Sequence, residues 1–179
     1  LGLGLLLLFL ILILSHGPSH KNKNLKLGVT FSSKKAQDLE LDWKKAYKTA
    51  LKDLHIKRIR IPAYWDQVEG KEAQYNWEKV DWQLEQARKN DVQVILAMGK
   101  RLPRWPECHF PGWTEDMSRE QWEEELLEYI KRTVNRYKDN DHIAAWQIEN
   151  EPFLSSYFGK CPETEVEFLD EEIRLVREM

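Results

Sequence analysis

The chain has 179 residues, 42% of them hydrophobic and 32% charged, which is enough apolar material for one buried core and too much for a disordered protein. With 27 basic against 30 acidic residues, the net charge of −3 supplies no general field that would hold nucleic acid or an anionic surface. A neutral or weakly polar substrate is favoured, and the eight tryptophans and six tyrosines suit stacking against sugars as well as filling a core.

The chain begins with an apolar run over residues 1–14. The run is shorter than the roughly 20 residues that span a bilayer and is similar in length to the hydrophobic region of a signal peptide. We predict that residues 1–16 are a signal peptide or a membrane anchor and that residues 17–24 are a polar linker. The protein would then be exported, and either extracellular or anchored to the membrane through residues 1–14, with residues 25–179 forming the folded part.

From residue 25 onward, segments typical of strands alternate with segments typical of helices. We predict strands within residues 25–32, 57–65, 92–98 and 143–150, and helices within residues 41–54, 77–88, 118–137 and 166–179. Asn76 is placed to cap the second helix, and Ser118 with Gln121 has the spacing of a capping box at the start of the third. The sequence therefore predicts four consecutive βα units.

Repeated βα units with buried strands indicate a parallel sheet, either open and doubly wound or closed into a TIM (β/α)8 barrel. No Gly-rich phosphate-binding loop follows any of the strands, so the barrel is favoured. A complete barrel typically has about 250 residues, so we expect only about the first four units here, with open sheet edges and an apolar inner face. The active site of a barrel lies at the C-terminal ends of its strands, and polar and aromatic residues collect there: Pro62, Tyr64, Trp65 and Asp66 after the second strand, residues 100–109 after the third, and Asn150 and Glu151 after the fourth.

Two segments resemble clan A retaining glycoside hydrolases. Residues 59–96, "IRIPAYWDQVEGKEAQYNWEKVDWQLEQARKNDVQVIL", are similar to the stretch in which an arginine ends the second strand, and residues 144–152, "AAWQIENEP", resemble the fourth strand with its terminal Asn-Glu pair. The resemblance covers nearly all of the chain after residue 25. The third strand ends in "MGKRLPRWPE" without the histidine of many family 5 cellulase-like members, which favours the family 42 β-galactosidase-like pattern.

The resemblance implies hydrolysis of β-linked oligo- or polysaccharides by a retaining double displacement, without a cofactor. Glu151 would be the acid/base, Asn150 would bind the sugar 2-hydroxyl, and Arg60 would lie beneath the nucleophile, unless it forms only a structural ion pair. Trp65 and Trp105 would contact the substrate. The nucleophile of the clan comes from the seventh strand, and no second glutamate of this chain matches it.

Glu149 lies two residues before Glu151, so strand alternation predicts that both face the same side. We expect Glu149 to be buried and hydrogen-bonded instead of acting as the nucleophile. The alternative for Glu151 is a solvated glutamate at the end of a strand. For the whole protein, the alternative is a non-catalytic carbohydrate-binding or degenerate barrel in which Trp65, Trp105 and Trp113 stack on sugar.

The two cysteines, Cys108 and Cys161, fall in the loops that follow the third and fourth strands. These loops are neighbours on one face of a parallel barrel, so we predict a disulfide, with two free thiols as the alternative. The five histidines show no metal-binding spacing and no G-x-S-x-G motif is present, so we expect neither a metal site nor a serine nucleophile.

Overall fold

A computed structural model describes residues 27–154 and 161–179, and within these residues four parallel strands form one sheet. The strands are β1 (Gly28–Thr30), β2 (Arg58–Pro62), β3 (Gln93–Met98) and β4 (Ile143–Ile148). Each strand pairs with the next one along the chain, so the order is β1-β2-β3-β4. This is the order of the first half of a (β/α)8 barrel and confirms the predicted α/β class.

The helices connect the strands on one side of the sheet. They are α1 (Ser33–Asp38), α2 (Trp43–Asp53), α3 (Trp65–Val68), α4 (Glu78–Lys89), α5 (Arg119–Tyr137) and α6 (Val166–Arg177), with a short 3₁₀ turn at Gly112–Thr114. The four helices predicted from the sequence correspond to α2, α4, α5 and α6. The structure adds α1 and α3, which have six and four residues and are too short to show a helical period.

Side-chain caps determine where several helices begin. Ser118 accepts a hydrogen bond from the Gln121 backbone while the Gln121 side chain accepts from the Ser118 backbone, which confirms the predicted capping box of α5. Asn76, predicted as the cap of α4, accepts from the Glu78 amide, but the helix begins one residue later than predicted and its N-cap position is Trp77. Asp42 accepts from the amides of the second and third residues of α2. Each such cap is typically worth about 1 kcal/mol.

The two faces of the sheet differ sharply. The face toward the helices is apolar and dry, and its central residues Ile59, Ile61, Val94 and Leu96 are fully buried against α2, α4 and α5. The opposite face, which is the inner face of a barrel, carries Thr30, Arg58, Arg60, Gln93, Ile95 and Gln147, all at least partly accessible. The expectation of an apolar inner face was therefore wrong, because most of its side chains are polar.

The predicted signal peptide or anchor, residues 1–16, and the predicted linker, residues 17–24, lie outside the described residues. Within residues 27–154 and 161–179, no helix is both long and apolar enough to cross a membrane.

Candidate active site

The fourth strand ends in a sharply turned segment. Glu149 and Glu151 both have left-handed backbones, with φ of 57° and 51°. Such a conformation costs a residue with a side chain on the order of 1–3 kcal/mol and persists only where the surroundings hold it. The alternation of the strand therefore stops at Ile148, and the prediction that Glu149 and Glu151 face the same side was wrong: Glu149 is 2% exposed, whereas Glu151 is exposed.

Glu149 is anchored under the loop that follows β3. Its two carboxylate oxygens accept hydrogen bonds from the backbone amides of Lys100 (2.8 Å) and Arg101 (2.7 Å), and the Lys100 ammonium lies 3.9 Å away. The expectation of a buried, hydrogen-bonded Glu149 is thus confirmed. The pKa of this carboxyl is raised overall by burial, although the Lys100 charge and the two amide donors act in the opposite direction.

Gly99 makes this approach possible. Its φ of +132° is a conformation that residues with side chains rarely adopt, and a Cβ atom at this position would lie 2.5 Å from Oε1 of Glu149. The glycine after β3 is therefore required by the carboxylate that enters from the end of β4.

Asn150 is connected to Arg60 across the inner face of the sheet. The guanidinium of Arg60 donates to Oγ1 of Thr30 on β1 (3.0 Å) and to Oε1 of Gln147 on β4 (3.0 Å). The Gln147 amide in turn donates to the backbone oxygen of Glu149 (2.8 Å) and to Oδ1 of Asn150 (3.4 Å). Because Oδ1 of Asn150 accepts, its NH₂ group is the part of the amide that remains to donate to a ligand.

Sequence reasoning missed Gln147 in this connection. The available signal was its alternation with Trp146 and Ile148, which places a polar side chain on the same face as Arg60.

Glu151 follows at the C-terminal edge of the sheet, with its side chain exposed. Its backbone oxygen accepts from the Leu154 amide (2.9 Å), and the guanidinium of Arg101 donates to the Leu154 oxygen (2.7 Å). The Asn150 amide donates to the Arg101 oxygen (2.8 Å). The turn that carries Glu151 is therefore held by Arg101 from both its start and its end.

The loop after β3, residues 99–109, is a short antiparallel hairpin. Its two arms are joined by the amides of His109 and Leu102, which donate to the carbonyl oxygens of Lys100 and Glu107 (both 2.8 Å). A disulfide links Cys108 to Cys161 with their Cα atoms 5.3 Å apart, as predicted from the positions of the two loops. This hairpin carries Trp105, whose side chain is 60% exposed.

Trp65 does not belong to the site. It is the first residue of α3 and is fully buried, with its ring stacked on Tyr129 at a centroid distance of 5.9 Å and its Nε1 donating to Glu69 (2.9 Å). The prediction of Trp65 as a substrate-binding residue was wrong, because the strand ends at Pro62 and the following helix turns this ring into the core. Trp113 packs edge-on against it, so of the three tryptophans proposed as a sugar platform only Trp105 is largely exposed.

A second polar cluster lies where the connections after β1, β2 and β3 meet. Lys34 on α1 contacts Oδ2 of Asp66 (2.5 Å) and Nδ1 of His109 (3.1 Å). Burial raises the pKa of Asp66, but the contacts with His109 and Lys34 outweigh it, and the net pKa is lowered. Burial and the Lys34 charge lower the pKa of His109, so this histidine is neutral near pH 7. Sequence reasoning missed Lys34 because α1 was not predicted.

Across residues 27–154 and 161–179, no three side chains of histidine, cysteine, aspartate or glutamate are grouped so as to hold a metal ion.

Comparison with known proteins gives a consistent assignment. The model of the family "Cellulase (glycosyl hydrolase family 5)" matches residues 24–176. Two β-galactosidases of Lactobacillus acidophilus, LacZ and LacA, are each 25% identical over 62% of this chain. This chain covers only 19% of either of those proteins.

Two solved structures share the fold. A GH5_18 protein from Streptomyces cattleya, in complex with GlcNAc, superposes with a TM-score of 0.63 at 13% identity, covering 86% of this chain and 41% of its own. Xylanase 10B from Thermotoga petrophila RKU-1, in complex with xylobiose, gives a TM-score of 0.61 at 18% identity, covering 87% and 46%. These proteins are TIM-barrel glycoside hydrolases, and the partial coverage fits the first half of such a barrel.

The missing histidine after β3 led us to expect the family 42 β-galactosidase-like pattern over the family 5 cellulase-like one; the two relatives above are β-galactosidases, but the family model that matches is that of family 5. This model extends over most of the chain, from residue 24 to residue 176 within α6. The chain belongs to the cellulase family, glycosyl hydrolase family 5.

Proposed function

We propose that the protein hydrolyses glycosidic bonds of β-linked oligo- or polysaccharides with retention, using Glu151 as the acid/base. The observation that carries the proposal is the Asn150–Glu151 pair directly after β4, at the edge of the sheet where a barrel enzyme has its active site. Glu151 is exposed at this edge, and Asn150 is oriented by the polar connection that begins at Arg60. Membership in a glycoside hydrolase family supports the same chemistry.

Retention requires two carboxyl groups about 5 Å apart, one to donate a proton to the leaving oxygen and one to attack the anomeric carbon. In the first step Glu151 gives its proton to the glycosidic oxygen as the bond to the anomeric carbon breaks. In the second step it takes a proton from the water that releases the sugar from the nucleophile. Glu149 is unsuited to be that nucleophile, because it is buried and both its oxygens accept amide hydrogens. We therefore propose that the nucleophile comes from a strand beyond the first four.

Asn150 and Trp105 are the proposed substrate contacts in this half of the barrel. The Asn150 NH₂ would donate to the 2-hydroxyl, a bond that strengthens in the transition state. The exposed Trp105 ring would stack on a sugar of the chain. Arg60 would act indirectly, by holding Gln147 and thereby Asn150. The disulfide supports the further proposal that the protein works outside the reducing cytosol, as an exported protein.

The test is Glu151→Gln in the full natural protein, with hydrolysis measured on two substrate types. Glycosides with poor leaving groups depend on protonation and should lose about 10²- to 10⁴-fold in kcat/KM, whereas activated aryl glycosides should lose far less. Glu115→Gln, an exposed glutamate beside the 3₁₀ turn, is the matched control and should behave as wild type. Equal losses on both substrate types would contradict the assignment of Glu151.

A carbohydrate-binding barrel without catalysis is the second candidate. The exposed Trp105, on a hairpin fixed by the disulfide, is the observation in its favour. This second candidate would be supported over the hydrolase if the natural protein hydrolysed no β-glycoside but bound oligosaccharides, and if Trp105→Ala abolished that binding.

A further inference from the structure

We infer that Glu149 is a positioning residue that sets the location of the acid/base by fixing the hairpin after β3 against the end of β4. The inference rests on the proposed function, since it concerns how the turn carrying Asn150 and Glu151 is held in place.

Three hydrogen bonds join the two segments. The two oxygens of Glu149 each take the amide of a different, consecutive residue, Lys100 and Arg101, and the Asn150 amide returns a bond to the Arg101 carbonyl (2.8 Å). Hydrogen bonds to an ionised group are among the strongest in proteins. Lys100 and Arg101 at the start of the hairpin are therefore fixed to Glu149 and Asn150, the two residues before the proposed acid/base.

The backbone conformation shows why such a fixture is needed. Glu149 and Glu151 are both left-handed, which an isolated chain of L-residues avoids. The Glu151 side chain at the end of this turn is exposed. The backbone preferences of Glu149 and Glu151 alone would not hold this turn, so the buried carboxylate of Glu149 is needed to keep it.

Burial raises the pKa of Glu149, while the two amide donors and the Lys100 ammonium favour its ionised form. The Lys100 ammonium lies 3.9 Å from the carboxylate, donates to Oγ1 of Thr164 (2.7 Å) and rests over the rings of Trp122 and Phe168 at 5.5 and 5.7 Å. This fully enclosed ammonium supplies the counter-charge from the hairpin side.

Glu172 on α6 completes the buried cluster. It is fully buried, and neither of its oxygens receives a hydrogen bond from an amide, hydroxyl or ammonium group of the described residues. Burial and the neighbouring Glu149 carboxylate raise the pKa of Glu172, and the Glu123 carboxylate on α5 acts in the same direction. Since its oxygens receive no N–H donor whereas those of Glu149 receive two, Glu172 is the better placed of the two carboxyls to hold a proton and donate it to Glu149.

The test is Glu149→Gln in the full natural protein. The amide has one acceptor oxygen for two backbone donors, and its NH₂ would face an N–H group. We expect kcat/KM on substrates with poor leaving groups to fall about 10- to 100-fold, with a smaller effect on activated aryl glycosides. The pH profile of kcat/KM should also differ from that of the wild type, because the acid/base is no longer held in its wild-type position.

Glu69→Gln is the matched control. Glu69 is also fully buried and also accepts two N–H groups, from Trp65 (2.9 Å) and Ala73 (3.0 Å), but it lies at the end of α3 on the helix side of the sheet. Its replacement should lower the thermal stability while leaving the ratio of the two substrate types and the pH profile unchanged.

Glu151→Gln in the same assay separates the two proposals. If it shows no preference for activated substrates, the proposed function fails. If it does, and a folded Glu149→Gln keeps the wild-type substrate ratio and pH profile, the positioning role is overturned. Glu149→Asp, which retains the charge with a shorter reach, serves where the glutamine variant does not fold. It should shift both readouts in the same direction by a smaller factor, and wild-type values would count against the inference.

Discussion

Removal of the disulfide between Cys108 and Cys161 is expected to destabilise the protein mainly through its unfolded state. The bond closes a loop between residues 53 positions apart in sequence, and its Cα separation of 5.3 Å lies within the usual range for disulfides. In the chain-entropy model, a loop of this length is worth about 4 kcal/mol, or on the order of 10³ in the folding equilibrium. In the native state, the hydrogen bonds of Lys100 to Thr164 and of Arg101 to Leu154 remain to hold the hairpin.

Urea unfolding of the full natural protein, followed by circular dichroism and tryptophan fluorescence, measures this loss. Cys108→Ser, Cys161→Ser and the double variant should lose the same free energy of unfolding, because each change abolishes the same bond. Reduction of the wild-type protein should lower its urea midpoint to that of the double variant, and the reductant should leave the double variant unchanged. Equal free energies of unfolding for the oxidised wild-type protein and the double variant would refute the reasoning.

Three further changes test the assignment of individual side chains. Trp65→Ala removes a fully buried ring and should lower the free energy of unfolding by about 3–5 kcal/mol. Trp105→Ala should change the free energy of unfolding by no more than about 0.5 kcal/mol but should raise KM for oligosaccharides. A large loss of stability in Trp105→Ala, together with a raised KM and normal stability in Trp65→Ala, would contradict both assignments. Glu172→Gln should gain stability over wild type as pH rises. Burial and the Glu149 carboxylate raise the pKa of Glu172 from 4.5 to about 10, so the contribution of this group to stability is fully present below about pH 4.5 and is lost as pH rises toward 10. A difference in melting temperature that stays constant between about pH 5 and pH 9 would contradict the buried, protonated state.

Features that depend on neighbouring residues could be predicted from the sequence. The apolar runs located all four strands, and the Ser118–Gln121 spacing located the start of α5, because a strand pattern and a capping box are each written within a few consecutive residues. The short helices α1 and α3 were missed because each has fewer than two turns, which is too short to show the helical spacing of apolar residues. The error over Trp65 followed from the missed α3.

The candidate site was predicted in part. The positions of Asn150 and Glu151 follow from the end of β4, which the sequence marks clearly. The direction of Glu149 does not, because a left-handed glutamate has no sequence signal comparable to a glycine. Its partners Lys100 and Glu172 come from another loop and from α6, and such contacts arise only when the sheet and helices pack.

The polar connection from Arg60 to Asn150 depends on a small residue in the strand between them. Arg60 is on β2 and Gln147 is on β4, two strand spacings apart, or roughly 10 Å, so their hydrogen bond must cross β3. In the register of the sheet, Arg60 is level with Ile95 and Gln147 is level with Ala97. The contact therefore runs diagonally from the level of Ile95 to the level of Ala97, and we expect a side chain larger than the Ala97 methyl group to compete with the guanidinium for this space. The alternation of β3 thus places Val94 and Leu96 in the core on the helix side and Ala97 on the inner face, at the level of the glutamine that orients the proposed substrate-binding amide.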